Sequence, residues 1–265
     1  MIDGSSSQPR RNANIVYNAA SILFVGNDGE LPPRHLLSSG QDKPDVDLPD
    51  HTLLPGLIEA HAHFFLEGGE LDLEKRKAYL QKTSAEFLKE ALARLEKVVR
   101  IGIIAVRDAG DRDGVGLALS KLYMDSNRPL MPYVDSPGSA IHHQGRYGSF
   151  MADPIENFPT AHACVKQRVE AGADRIKLIP TGIINFRKGQ VTTEPQMATE
   201  EVRAIVNAAR EFKRQTFAHA SGDTGIECAV EGGVDSVEHG FFLRDDQLSR
   251  MRDRQIASVS TFAPR

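Results

Sequence analysis

Cysteine, long apolar runs and net charge are all scarce in this 265-residue chain. Its two cysteines, Cys164 and Cys228, cannot form a disulfide framework, which points to a reducing compartment and a cytoplasmic protein. They lie far apart, in segments with helical pattern, and read as buried thiols. No apolar run reaches the roughly 20 residues of a membrane span. The N-terminus, with its Ser, Asn and Arg, has no signal-peptide core. A net charge of -4 provides no global field for nucleic acid. What is present, 40% hydrophobic and 26% charged residues, excludes a disordered tail, a collagen-like fibre and a disulfide-knotted miniprotein. The length suits one large barrel domain, or one and a half domains.

Residues 1–53 read as a partial β-sandwich module. Short β-type runs at Ala13–Tyr17 and Ala20–Val25 lead to the turn signal Gly26-Asn27-Asp28-Gly29, and a polar, Pro-containing loop follows to about Asp47. Alone, such a segment is too short to bury a sizeable core. From residue 54 to 265 the rhythm changes. Strand candidates fall at Leu54–Ala60, Ile103–Arg107, Leu130–Val134, Arg175–Ile179, Thr216–Ala220, Val234–Glu238 and Ile256–Thr261. Helical periodicity separates several of them. Ser84–Arg100 carries Phe87, Leu88, Ala91, Leu92, Leu95, Val98 and Val99 on one stripe. Thr199–Lys213 opens with Thr199 as the expected N-cap, and Asp223–Glu231 and Asp245–Arg252 are shorter helices.

Strand then helix, repeated, means a parallel sheet with right-handed crossovers. An open doubly wound sheet usually shows a Gly-rich phosphate turn after its first strand, whereas this first strand ends Glu59-Ala60-His61-Ala62-His63. The fold class is therefore α/β, a (β/α)8-type barrel with seven countable strands, and active groups belong at the strands' C-terminal ends.

Nine histidines are present, and four of them occupy such ends. His61 and His63 are spaced i, i+2, so both point to one face and can grip one metal ion. His219 closes Thr216-Phe217-Ala218-His219, and His239 closes Val237-Glu238-His239. Any one of these could be an ordinary core or surface histidine. Four together at equivalent ends of three strands make a shared metal site the reading. Lys177 sits in a strand otherwise bound for the interior, where burial must lower its pKa or force pairing. A neutral amine there can take up carbon dioxide as a carbamate, an anionic ligand able to bridge two metals. The alternative is a lysine snorkelling to the rim. Arg107 and Asp108, ending the second strand, are expected to form an ion pair near the rim.

These segments together resemble the metal-dependent amidohydrolase superfamily. Leu54-Pro55-Gly56-Leu57-Ile58-Glu59-Ala60-His61-Ala62-His63 looks like its first-strand signature. Gly172-Ala173-Asp174-Arg175-Ile176-Lys177, Ala218-His219-Ala220 and Ser236-Val237-Glu238-His239-Gly240 resemble its fourth-, fifth- and sixth-strand motifs. The nearest branch is the imidazolonepropionase-like group, which includes prolidase-like and carboxypeptidase-like dipeptidases. The resemblance implies two divalent metal ions, zinc by default, with His61 and His63 on one, His219 and His239 on the other, and carboxylated Lys177 bridging both. It implies hydrolysis of a C–N bond in a dipeptide or cyclic amide by metal-activated water. The loop Ala140–Gly148 departs from relatives that place Gly-Gly-His-Gly there, with Tyr147 where their histidine lies. His142, His143, Arg146 and Tyr147 are candidates to hold a substrate carboxylate or carbonyl, though each could equally be a polar residue of an ordinary surface loop.

The family also needs an aspartate after an eighth strand, and none follows the seventh strand before Arg265; Asp245 and Asp246 read as first-turn residues of a helix. The expectation is thus a chain truncated at its C-terminus, joined by a further segment or forming a homo-oligomer. The rival reading from another class is a fragment or degenerate relative that binds metal without turnover.

Overall fold

Pro55 cannot donate to a sheet ladder, and pairing starts just beyond it. Leu57 N donates to Gly102 O at 2.8 Å, and strand β3 runs Leu57–Ala62, starting three residues and ending two residues later than its apolar run suggests. The computed structural model describes residues 1–5, 8–41, 43–70, 72–124, 131–151, 153–182 and 184–261. The expected start of the third barrel strand, Leu130, lies outside them.

The chain forms two compact units, Met1–Gly56 and Leu57–Arg265. The first holds one antiparallel hairpin, β1 (Ile15–Tyr17) against β2 (Ile22–Val25), with irregular chain around it.

The second is a repeating βα unit. In order, β3 leads through α1 (Leu73–Tyr79) and α2 (Ser84–Arg100) to β4 (Ile103–Asp108), α3 (Val115–Met124), β5 (Tyr133–Asp135) and α4 (Ala161–Ala171). Then come β6 (Ile176–Leu178), a small hairpin of β7 (Ile184–Asn185) and β8 (Gln190–Val191), and α5 (Thr199–Glu211). The described chain closes with β9 (Thr216–Ala220), α6 (Asp223–Gly232), β10 (Ser236–His239), α7 (Asp245–Asp253) and β11 (Ala257–Val259). Strands β3, β4 and β5 pair in parallel in that order, as do β6, β9, β10 and β11. The two sets are joined where Ile141 bridges Leu178, with Ile141 N donating to Lys177 O at 2.8 Å. Seven parallel strands thus follow one another among the described residues. Side chains of β3 and β4 reach β10 across the interior, so the wall curls round as a barrel does.

The helices seal the outside. On α2, Phe87, Ala91 and Leu95 recur at i, i+4 and i+8 and are fully buried, which stabilises by about 1.5–3 kcal/mol for each large side chain. Its start is a capping box in which Thr83 and Glu86 satisfy each other's backbone N–H. At α5 the N-cap is Ala198, and Thr199 is instead the first helical residue, without a side-chain cap. Cys164 and Cys228 are buried and unbonded, as their helical setting predicts.

Candidate active site

Alternation along β3 sends His61 inward near its C-terminal end, and His63 follows just past the strand. His219 occupies the equivalent place on β9. On β10, Ser236 and Glu238 face inward, so simple alternation would turn the next residue out. His239 nevertheless joins the interior because its backbone is left-handed, φ +69°, a costly conformation for a side chain of this size.

The four rings form a row: His63 lies 5.6 Å from His61 between centroids, His61 4.8 Å from His239, and His239 4.5 Å from His219. Polar partners set the ring orientations. His61 Nδ1 lies 2.6 Å from Glu238 Oε2, His63 Nδ1 2.8 Å from Gly110 O, and His239 Nδ1 2.8 Å from Thr261 Oγ1. Each places Nε2 on the ring edge away from that partner. His219 is reversed, with Nε2 3.4 Å from Gly182 O.

Burial, reinforced by the nearby cations Lys177 and Arg107, holds His61 well below the usual imidazole range. Glu238 would pull the other way, but it is already paired with Arg107. His61 Nδ1 faces the Glu238 carboxylate as the donor. Lys177 is buried on β6, with Nζ 4.7 Å from the centroid of Phe217, whose ring also lies 4.8 Å from Arg107 Cζ. Burial pushes its ammonium down to about 8, against the pull of Glu238 and Asp108. Lys177 lies close enough for its charge to act on His61, and the imidazole row beyond it is a donor set that suits a divalent metal. Among the described residues, no three His, Cys, Asp or Glu side chains are placed to hold one metal ion. A centre here would therefore rest on imidazole pairs completed by another donor.

The loop residues divide. Tyr147 stands beside the row, its ring 5.1 Å from His219. His142 is buried, with Nδ1 2.9 Å from His143 O. His143 sits between Glu156 and Glu201, and Arg146 donates to Glu194 O at 2.8 Å. Asp245 and Asp246 lie in the first turn of α7, where Asp246 pairs with Arg244 and Arg250.

Arg107 and Asp108 do not pair with each other. As neighbours on one strand they face opposite sides. Arg107 reaches inward to Glu238 at 2.8 Å, and Asp108 is buried with Ser136 Oγ donating to it at 3.0 Å. Glu238 has no role in a reading of the sequence by histidine spacing. The available signal was a glutamate two residues after Ser236, on the inward face of a fully buried strand.

Residues 52–255 match the model of the amidohydrolase family, and the chain belongs to that family. It is 26% identical to ochratoxinase of Aspergillus niger, over 96% of this chain and 56% of that protein. Among solved structures, a Xaa-Pro dipeptidase with bound methionine in its active site superposes with a TM-score of 0.71 at 25% identity, over 92% of this chain and 61% of the other. The A. niger ochratoxinase structure superposes with a TM-score of 0.74 at 22% identity, over 97% of this chain and 62% of that one, a likeness of fold. The chain thus spans a little over half the length of the relatives it matches. No helix among the described residues is long and apolar enough to cross a membrane.

Proposed function

We propose that the protein is a metal-dependent hydrolase of amide C–N bonds, acting on a dipeptide or a cyclic amide. The observation that carries this is the row of four strand-end imidazoles, with buried Lys177 close enough for its charge to act on His61. Membership of a family that generally works with divalent metals, and likeness to proteins named ochratoxinase and Xaa-Pro dipeptidase, support the same reading.

In this proposal His61 and His63 hold one ion and His219 and His239 another, with zinc the first choice of metal. When bound, such ions polarise an amide carbonyl and bring the pKa of a water toward about 7. The protein's residues do the rest. Neutral Lys177 would form an N–C bond to carbon dioxide and release a proton, and the resulting carbamate would supply anionic oxygen ligands to the two ions. Its lowered pKa raises the fraction of amine able to react. Tyr147, beside His219, borders the substrate, and His142, His143 and Arg146 shape the loop around it.

The test is reconstitution. Protein stripped by chelator is titrated with zinc in the presence of bicarbonate, and hydrolysis of Xaa-Pro dipeptides and N-acyl amino acids is assayed. Two zinc equivalents per chain and return of amide hydrolysis are expected. Failure to bind zinc overturns the proposal, and unchanged metal content in Lys177→Ala removes the bridging role.

A further inference from the structure

We infer that Glu238 is a positioning residue for His61, fixing that imidazole as its Nδ1–H tautomer, and that Arg107 holds Glu238 in this task. The Glu238 carboxylate is fully buried and accepts from three donor groups. His61 Nδ1 is 2.6 Å from Oε2, Ser236 Oγ is 2.7 Å from Oε1, and Arg107 Nη2 is 2.8 Å from each oxygen. With Arg107 and Ser236 donating to both of its oxygens, the carboxylate is the acceptor in the His61 contact, and the proton there belongs to Nδ1. Nε2 then lies on the ring edge turned away from Glu238.

Arg107 has a second grip. Its Nε donates to Ala60 O at 2.7 Å, the carbonyl immediately before His61. One ion pair therefore secures both the main chain leading into His61 and the ring of His61. The other rings are oriented differently. His63 Nδ1 meets a neutral carbonyl, and His239 Nδ1 meets a hydroxyl, which can donate or accept. At His61 the partner of Nδ1 is a charged carboxylate, which both fixes the tautomer and makes the opposite nitrogen a better donor to a metal.

Stability alone is a poor reason for this arrangement. A buried ion pair is commonly matched or bettered by apolar residues of similar volume. Its value lies in what it orients. The part of this inference that concerns metal rests on the proposed metal centre; the tautomer does not.

The experiment has two arms. In the first, metal-free wild-type protein labelled with ¹⁵N-histidine is examined by NMR at neutral pH, with the His61 signals assigned by comparison with His61→Asn. A proton on Nδ1 is expected; a ring protonated at Nε2 alone overturns the inference. This arm needs no stable Glu238 variant. In the second, zinc affinity is measured by chelator competition for wild type, Glu238→Gln and Glu238→Ala, with folding checked by circular dichroism. Loss of about 10- to 100-fold in affinity is expected for an outer partner of this kind. If wild type binds zinc and folded Glu238→Ala binds it equally well, the positioning role is wrong. If wild type binds none while His61 is the Nδ1–H tautomer, the metal proposal fails and the tautomer assignment stands.

Discussion

Arg107 on β4 and Glu238 on β10 meet inside the barrel, with the guanidinium Nη2 2.8 Å from both carboxylate oxygens. The strands that carry them lie second from either end of the parallel series, so this contact records how far the wall has curled. Arg107 also packs over Phe217 of β9, tying a third strand to the pair.

Removing one partner should cost far more than removing both. Arg107→Met leaves a fully buried carboxylate without its cation, and a loss of about 3–5 kcal/mol is expected. The double variant Arg107→Met with Glu238→Gln should recover part of that loss, because no charge is then stranded. Urea denaturation of the two single variants and the double variant gives the coupling. Additive losses would mean the ion pair is not what stabilises either residue.

Asp108 should make stability fall as pH rises toward neutrality. Burial, with the charge of Asp111 beside it, raises its pKa to about 7 from 3.8. The folded state therefore keeps a proton that the unfolded state has already lost. Stability contributed this way is present below about pH 4, declines to about pH 7, and is level beyond. Asp108→Asn has no such titration. Its stability relative to wild type should improve by a few kcal/mol between pH 4 and 7, whatever its starting offset. Thermal denaturation across that range measures the slope. Parallel curves for the two proteins would show that Asp108 is ionised throughout.

The barrel rhythm was legible because each strand is a short apolar run and each long helix an apolar stripe with charges opposite. Phe87, Ala91 and Leu95 announce α2 without ambiguity. The β7–β8 hairpin escaped because its strands are two residues each and carry no alternation to read. The bounds of β3 shifted because Pro55 and Gly56 interrupt the ladder while the hydrophobicity continues across them. The histidines were visible by their recurrence at strand ends. Their convergence required knowing that His239 takes a left-handed backbone, which no periodicity encodes. Arg107 was misjudged for a related reason. Sequence neighbours of opposite charge on a strand point to opposite faces, so the partner of each lies elsewhere in the fold.

Gly116 offers a case where the usual helix rule should reverse. Replacing a helical glycine by alanine ordinarily stabilises by about 1 kcal/mol. Here a Cβ would fall inside van der Waals contact of both Ser136 Oγ and the Asp108 carboxylate. Both are buried and bonded to each other, so neither can simply swing aside. Gly116→Ala should therefore lower stability by about 1–3 kcal/mol, the typical toll of overpacking. Combining it with Ser136→Ala, which removes one of the clashing atoms, should soften the penalty relative to the sum of the two single changes. A stabilised Gly116→Ala protein would show that this wall is looser than its geometry.

His143 provides a pH dependence confined to the loop that carries Arg146 and Tyr147. Its Nδ1 is 2.6 Å from Glu156 and its Nε2 2.8 Å from Glu201, so both ring nitrogens face carboxylates. Partial burial pulls its pKa down, but the hydrogen bonds to Glu201 and Glu156 outweigh that and leave it raised. An imidazolium alone can donate to both. Because the folded state binds this proton more tightly, the contribution is full below the unfolded value near 6.5 and disappears as pH rises through the raised folded value. Each partly exposed pair contributes up to about 1 kcal/mol. The stability gap between wild type and His143→Gln should therefore be widest near pH 6, roughly 1–2 kcal/mol, and narrow toward pH 9. Salt should narrow it as well, since both pairs are partly open to solvent. Denaturant midpoints at a series of pH values give the gap directly. A gap that stays constant from pH 6 to pH 9 would mean that His143 is neutral and the two glutamates do not clamp it by charge.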